Sequence, residues 1–295
     1  MKPPDFSYHD PRTTADVIGL LTTLENAKLL AGGQSLMPML NMRFVLPDHV
    51  IDLNRVEGLS YINERGDTLE IGAMTRQRDI EFSQAVKTKC PLMHEAITHV
   101  GHRQTRNRGT LGGSLCHLDP AAELVSVAAA LDAKVSVAGK NGTRTIDFAE
   151  FPVAYMTPAI ELDEMLTAVT FPYWPARDGH AHGHAFFEFA RRHGDFAIVS
   201  AAALIEEDAS GKVTRASVTL GGIGPAPVRA REVEQALIGE KIEEKRLADI
   251  CETLRSLEAV DDIHAPASYR QQLATVLPRR ALLKAHQRLT GEAQS

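Results

Sequence analysis

Ala31-Gly32-Gly33-Gln34-Ser35, directly after the apolar pair Leu29-Leu30, and Gly109-Thr110-Leu111-Gly112-Gly113-Ser114 are the stretches that decide how this chain folds. Each sets two adjacent glycines beside hydroxyl side chains. Glycine has no Cβ, so the backbone turns sharply there and lets a ligand come close. Successive backbone N–H groups in such a turn form a concave nest for phosphate oxygens. One nest holds one phosphate, and two nests far apart in sequence suit the two phosphates of a dinucleotide. Neither stretch fits the common nucleotide fingerprints, G-x-x-x-x-G-K-[ST] or G-x-G-x-x-G opening a helix. A Gly-Gly turn alone is usually only a turn; it is the pair, with its surroundings, that points to a ligand.

Working outward, Lys28-Leu29-Leu30-Ala31 reads as a short buried strand that ends at the first nest. Met37 to Met42 is a short helix and Val50-Ile51-Asp52-Leu53 a second strand. Upstream, Val17, Leu20, Leu21 and Leu24 share one helical face, with Thr14 placed to cap it. This order makes a small α/β unit. Leu69 to Ala73 alternates as a strand does, and Gln77 to His99 reads as two helices broken near Cys90-Pro91. Ala121 to Leu131 is apolar and helical, Lys134 to Val137 a strand with a turn at Asn141-Gly142, and Leu166 to Pro172 another strand. Pro172 to Gly183 is polar and broken, and reads as a boundary containing Pro175. Three strands follow, Ala185–Arg191, Ile198–Ile205 and Val213–Gly221, then three helices, Ala230–Leu237, Lys245–Leu257 and Tyr269–Leu289. Strands before helices make this second part α+β.

Composition excludes several function classes. The net charge is −6 and no long basic block stands out, so nothing favours nucleic acid. No apolar run approaches the about 20 residues that cross a bilayer. Met1 to Phe6 lacks an apolar signal region, so the expected compartment is the cytoplasm. Cys90, Cys116 and Cys251 form no C-x-x-C pair, so no iron–sulfur or zinc site of the chain's own is expected. Cys116 alone lies close enough to a glycine pair to neighbour a ligand. His180-Ala181-His182-Gly183-His184 sets its imidazoles on one side of an extended chain, but a polar linker is the simpler reading. No hydrolytic constellation and no H-E-x-x-H helix occurs.

The stretch Ala31 to Arg43, followed by Val50-Ile51-Asp52-Leu53-Asn54, resembles the FAD-binding medium subunit of the molybdenum hydroxylases, the family that includes carbon monoxide dehydrogenase and bacterial relatives of xanthine dehydrogenase. Arg106-Asn107-Arg108 through Ser114, with Asp119-Pro120-Ala121-Ala122-Glu123-Leu124, is similar to that family's second flavin motif. Gly72-Ala73-Met74-Thr75 and Arg191-Arg192-His193-Gly194-Asp195-Phe196-Ala197 match by type and order. The resemblance spans nearly the whole chain.

The resemblance implies an α+β fold. A two-lobed FAD-binding domain of the PCMH (vanillyl-alcohol-oxidase-like) type would occupy residues 1–177, with lobes of about 1–56 and 57–177. A smaller α+β C-terminal domain, a three-stranded sheet with a helical bundle, would occupy 184–290. FAD would be held non-covalently by Leu30, Ala31, Gly32, Gly33, Gln34 and Ser35 on one side. Val100, Thr110, Leu111, Gly112, Gly113, Ser114 and Leu166 would flank the other. Glu123, with Asp119 nearby, would face the adenosine ribose, since a carboxylate accepts from two hydroxyls. Phe196 would lie by the isoalloxazine ring, the alternative being an ordinary core aromatic. Ser114 replaces an asparagine common in relatives, and Phe187 aligns with a lysine that some eukaryotic members carry. No catalytic acid–base pair or metal ligand is expected here, because the flavin does the electron chemistry and the protein binds and tunes it. A large molybdenum-cofactor subunit and a small subunit with two [2Fe–2S] clusters would be the partners, in a dimer of heterotrimers. A free-standing FAD oxidase or dehydrogenase, or an assembly protein that kept the fold, are the rival readings.

Overall fold

The computed structural model describes residues 2–174 and 178–291. Pro175 and the lobe limit expected at residue 177 lie outside the described residues. The chain opens with β1 (Ser7–His9), α1 (Thr14–Thr23), β2 (Ala27–Leu30), α2 (Leu36–Asn41) and β3 (His49–Asp52). The three strands pair in parallel in the order β1-β3-β2. Thr13, not Thr14, caps α1: its backbone is extended and its Oγ1 accepts from Asp16 N at 3.1 Å. The buried Val17 and the half-buried Leu20, Leu21 and Leu24 pack under the sheet.

The second sheet contains β4 (Ile62–Arg65), β5 (Thr68–Gly72) and, much later, three further strands. Between lie α3 (Gln77–Phe82), α4 (Gln84–Lys89), α5 (Pro91–Ala96), α6 (Arg103–Arg108), α7 (Leu111–His117) and α8 (Glu123–Ala130). Then come β6 (Lys134–Gly139), β7 (Gly142–Asp147), the small hairpin β8 (Pro152–Ala154) and β9 (Thr157–Pro158), and β10 (Glu164–Pro172). The antiparallel order is β4-β5-β10-β6-β7. Leu69, Ile71, Val135, Val137 and Val169 of this sheet share one core with Leu92, Met93, Leu111, Leu115 and Leu124 of the helices. The expected pair of helices over Gln77–His99 is a set of three. Besides the break at Cys90-Pro91, Ser83 takes an extended backbone and caps α4 by accepting from Val86 N.

The C-terminal sheet runs in the order β11 (Ala181–Phe189), β12 (Val199–Glu207), β13 (Val213–Gly221), β14 (Val228–Arg229). It has four strands rather than three, because two residues after the Gly224 to Pro227 break pair back onto Thr219 and Leu220. α9 (Arg231–Leu237), α10 (Glu244–Glu252) and α11 (Ala267–Thr290) follow. Every residue of β12 is buried. Ala201, Ala203 and Ile205 join the core that contains α11, while Ala202 and Leu204 join the core that contains α8. A strand covered on both faces reads as a continuous apolar run. Ser217 Oγ donates to Ala130 O at 2.7 Å and Arg229 bonds Ala129 O at 3.0 Å, which fixes α8 against this sheet.

The polar linker expected at His180 to His184 is overturned. β11 begins at Ala181, and Gly183 lies so close under α11 that a Cβ would come within 2.1 Å of Ala285 O. Burial, then the nearby Arg288, pushes the His184 imidazole down to about 4, so it is neutral near pH 7. Among the described residues no three His, Cys, Asp or Glu side chains converge as a metal site. None of the described helices is long and apolar enough to cross a membrane.

Candidate functional site

The two glycine stretches meet. β2 ends at Leu30, and Gly33 takes the left-handed conformation at φ +75°, with the Leu30 and Met37 side chains beneath it. A Cβ on Gly32 would stand 2.3 Å from Arg108 O and 2.8 Å from Gly109 Cα. A Cβ on Gly113 would stand 3.3 Å from Ala31 Cβ. The backbones of segments more than seventy residues apart therefore touch, and only residues without a Cβ permit it.

The two sides differ in kind. Among the described residues, nothing accepts from the N–H groups of Gly32, Gly33, Gln34 and Ser35. That side is an open nest with donors to spare. The second side is not the open nest expected from sequence. Gly112 and Gly113 lie in the first turn of α7, and its amides are already used. Leu111 N donates to Thr75 O at 3.1 Å and Gly112 N to Ala73 O at 2.8 Å. Gly113 N donates to Thr110 Oγ1 at 3.0 Å, and Ser114 N to Thr110 O at 3.1 Å. The glycines here let α7 sit on the Gly72-Ala73-Met74-Thr75 segment: a Cβ on Gly112 would meet Ala73 O at 2.8 Å. What remains on this side is the half-buried Ser114 hydroxyl and the hydroxyl proton of Thr110, a residue 1% exposed whose oxygen already caps α7.

Asn54 and Arg76 link the two sides, and neither is singled out by sequence as a site residue. Asn54 Nδ2 donates to Ala31 O at 3.0 Å, and Arg76 donates to Asn54 Oδ1 at 2.6 Å and to Arg108 O. Asn54 is held in turn by Asp52, whose Oδ1 accepts from Asn54 N. Burial by itself would raise the Asp52 carboxyl, but hydrogen bonds from Tyr8 and Asn54 and the charge of Arg108 hold it below the usual carboxylate range. Asn54 stands inside the Val50 to Asn54 motif, which is the one signal that pointed toward it.

The other expected residues are spread around this junction. Leu166, buried on β10, and the half-buried Val100 line the core beneath α7. Asp119 Oδ1 is taken by Ala121 N at 2.9 Å. Glu123 is not an exposed helix charge; it begins α8 at 7% exposure. Burial, together with Glu188 and Asp119, pushes its carboxyl up to about 8 against the opposing effects of its own backbone amide and His99, so it is protonated near neutral pH. Close by, His99 Nδ1 lies 3.3 Å from Glu188, and that hydrogen bond raises the imidazole. Glu188 Oε2, Ser126 Oγ and Ser200 Oγ are buried there with no partner among the described residues. Burial pushes the Cys116 thiol up to about 12, so it carries no charge near neutral pH.

Phe196 is not a core aromatic. It is 69% exposed, on the loop between β11 and β12. Gly194 of that loop, at φ +86°, lies where a Cβ would come within 2.4 Å of His102, at the start of α6, and α6 leads directly into Gly109. Phe196 is thus carried by the second domain but belongs to a loop that leans on the first.

Residues 4–174 match the FAD binding domain in molybdopterin dehydrogenase, and residues 184–285 match the CO dehydrogenase flavoprotein C-terminal domain. The chain is 39% identical to the 6-hydroxypseudooxynicotine dehydrogenase complex subunit alpha of Paenarthrobacter nicotinovorans, over 100% of this chain and 99% of that protein. It is 36% identical to the nicotine 6-hydroxylase medium subunit of the same organism, over 97% and 99%. Among solved structures, carbon monoxide dehydrogenase from Hydrogenophaga pseudoflava superposes with a TM-score of 0.93 at 33% identity, covering 98% of this chain and 100% of that one.

Proposed function

The chain belongs to the family of FAD-binding medium subunits of the molybdenum hydroxylases, and from that premise we propose that it is the electron-transfer subunit of a three-subunit complex. Electrons arrive from the [2Fe–2S] clusters of a small subunit, a large subunit carries the molybdenum cofactor and oxidises the substrate, and this chain passes electrons to an external acceptor. Two heterotrimers associate, and the complex works in the cytoplasm. The FAD-binding domain takes residues 1–177 and the C-terminal domain 184–290.

The observation that carries this reading is the contact of Gly32 with the Arg108-Gly109 peptide. It brings an amide-rich turn and the Thr110 and Ser114 hydroxyls to one place, as a diphosphate requires. The Gly32 to Ser35 amides hold one phosphate, and the two hydroxyls flank the other. The half-buried Leu30 and Val100 give the apolar wall, with Leu111 and Leu166 in the core behind it. Glu123, neutral and therefore both donor and acceptor, faces the ribose with Asp119 beside it. When bound, non-covalent FAD supplies the redox chemistry. The protein orients it and limits access to it.

The test is spectroscopic. The chain expressed alone purifies yellow, heat or acid releases its flavin, and co-expression with the two partner subunits adds iron–sulfur absorbance to the same complex. A chain that oxidises an aromatic heterocycle or aldehyde alone, at the rate of the complex, contradicts the subunit assignment. Phe196 provides a second check. An exposed aromatic on a loop leaning toward the cofactor domain controls the approach of acceptors, so Phe196→Ala changes the reoxidation rate of the reduced complex while flavin content stays constant. Equal rates with oxygen and with a quinone analogue, in wild type and variant, would remove Phe196 from the site.

A further inference from the structure

Two guanidinium groups stand at the junction of the glycine segments without a carboxylate bonded to either among the described residues. Arg76 is half-buried and Arg108 exposed. Burial, then repulsion from Arg108, lowers the pKa of Arg76, while Asp79 and Asp52 offset this only from a distance. Nearby arginines are treated differently. Arg106 forms a two-pronged pair with Glu81, and Arg55 pairs with Asp10. Two like charges held together at a half-buried site cost stability, and an anion placed between or beside them removes that cost.

The position of Arg76 is fixed by the cradle itself. One carbonyl oxygen, that of Arg108, both faces Gly32 and accepts from the Arg76 guanidinium. The other arm of Arg76 reaches Ala31, the residue before Gly32, through Asn54. The chain of contacts is closed: Ala31, Asn54, Arg76, Arg108 and back to Gly32. We infer that Arg76, oriented by Asn54 and supported by Arg108, is the positive partner of the cofactor's diphosphate and locks the two glycine segments into one binding surface. The inference rests on the FAD reading above. It adds a residue and a kind of force, because the open nest alone offers only neutral amide donors. Guanidinium suits this position: its planar fork bonds two protein acceptors while its charge remains available to an anion.

A charge contribution has a signature that a purely structural staple lacks, namely dependence on ionic strength. FAD is stripped from the full chain, and its rebinding is followed by fluorescence quenching across a range of NaCl concentrations for wild type, Arg76→Gln, Arg76→Lys and Arg108→Gln. The expected result is a dissociation constant raised about tenfold or more at low salt in Arg76→Gln, the size of a lost charge-assisted hydrogen bond. Its salt dependence is also flatter than that of the wild type. Arg76→Lys keeps the salt dependence while losing part of the affinity, and Arg108→Gln shows a smaller change of the same kind. Circular dichroism of each variant shows that the fold is retained. An Arg76→Gln dissociation constant within twofold of wild type overturns the inference. So does a tenfold loss with unchanged salt dependence, which makes Arg76 a structural staple only. Failure of the wild-type chain itself to bind FAD is a separate outcome that overturns the FAD reading and this inference with it.

Discussion

Gly32→Ala raises the dissociation constant for FAD more than about tenfold, the effect of a little over 1.4 kcal/mol of lost binding energy, and the purified chain carries correspondingly less flavin. All three atoms that a Cβ would meet belong to backbone: Arg108 O at 2.3 Å, Gly109 Cα at 2.8 Å and Arg108 C at 2.9 Å. A flexible side chain could swing away, but a peptide group anchored by α6 and by the Gln77 N to Gly109 O bond at 2.9 Å cannot. The two segments must part, and forcing extra atoms into a packed contact costs about 1–3 kcal/mol. Gly19→Ala is the control. It lies in α1 with nothing within 4 Å of its added Cβ, so it keeps full flavin. Flavin per chain is read from absorbance after gel filtration, with circular dichroism as the check on folding. A folded Gly32→Ala protein with full flavin would show that the contact is irrelevant to the cofactor.

Glu123→Gln gives the second large effect, in the pH dependence of stability. Burial pushes the folded carboxyl up to about 8 from its ordinary 4.5, so between those values the folded state holds a proton that the unfolded chain has lost. The stabilisation is complete below about pH 4.5 and is lost as pH rises through about 8. At about 1.36 kcal/mol per unit, the upper bound on the change is on the order of 4–5 kcal/mol. Glutamine imitates the protonated carboxyl and does not titrate. The variant therefore gains on the wild type as pH rises from 5 to 8.5, whereas His99, which also titrates, contributes to both. Denaturant unfolding of both apo proteins at several pH values measures this difference. Parallel curves would mean that Glu123 is hydrated and ionised in the folded chain.

Much of the scaffold around the site was legible. β2, the turn at Gly33, α2 and β3 follow from apolar runs punctuated by glycine, and β12 from a run buried on both faces. α7 was hidden for a physical reason. Paired glycines are poor helix formers, and this helix exists because Ala73, Thr75 and Thr110 take up its first amides. Those partners come from elsewhere in the chain or from the cap, so no local pattern announces them. β14, two residues long, is below what alternation can reveal. The histidines of β11 alternate correctly for a strand, but their polarity masked it; the burial comes from α11 and from α5, far along the chain. Arg76 carried no motif signal at all, and Arg108 only its place in the Arg106 to Ser114 stretch. What makes them noteworthy is a shared carbonyl and the lack of a bonded carboxylate, both properties of the folded chain.

The most direct test of the account is a titration of the flavin-stripped full chain with FAD. The expected result is saturation at one FAD per chain, a bound flavin that denaturation releases, and weakened binding in Gly32→Ala but not in Gly19→Ala. A correctly folded wild-type chain that stays colourless in excess FAD, or that binds it equally well with Gly32 replaced, would contradict the central claim.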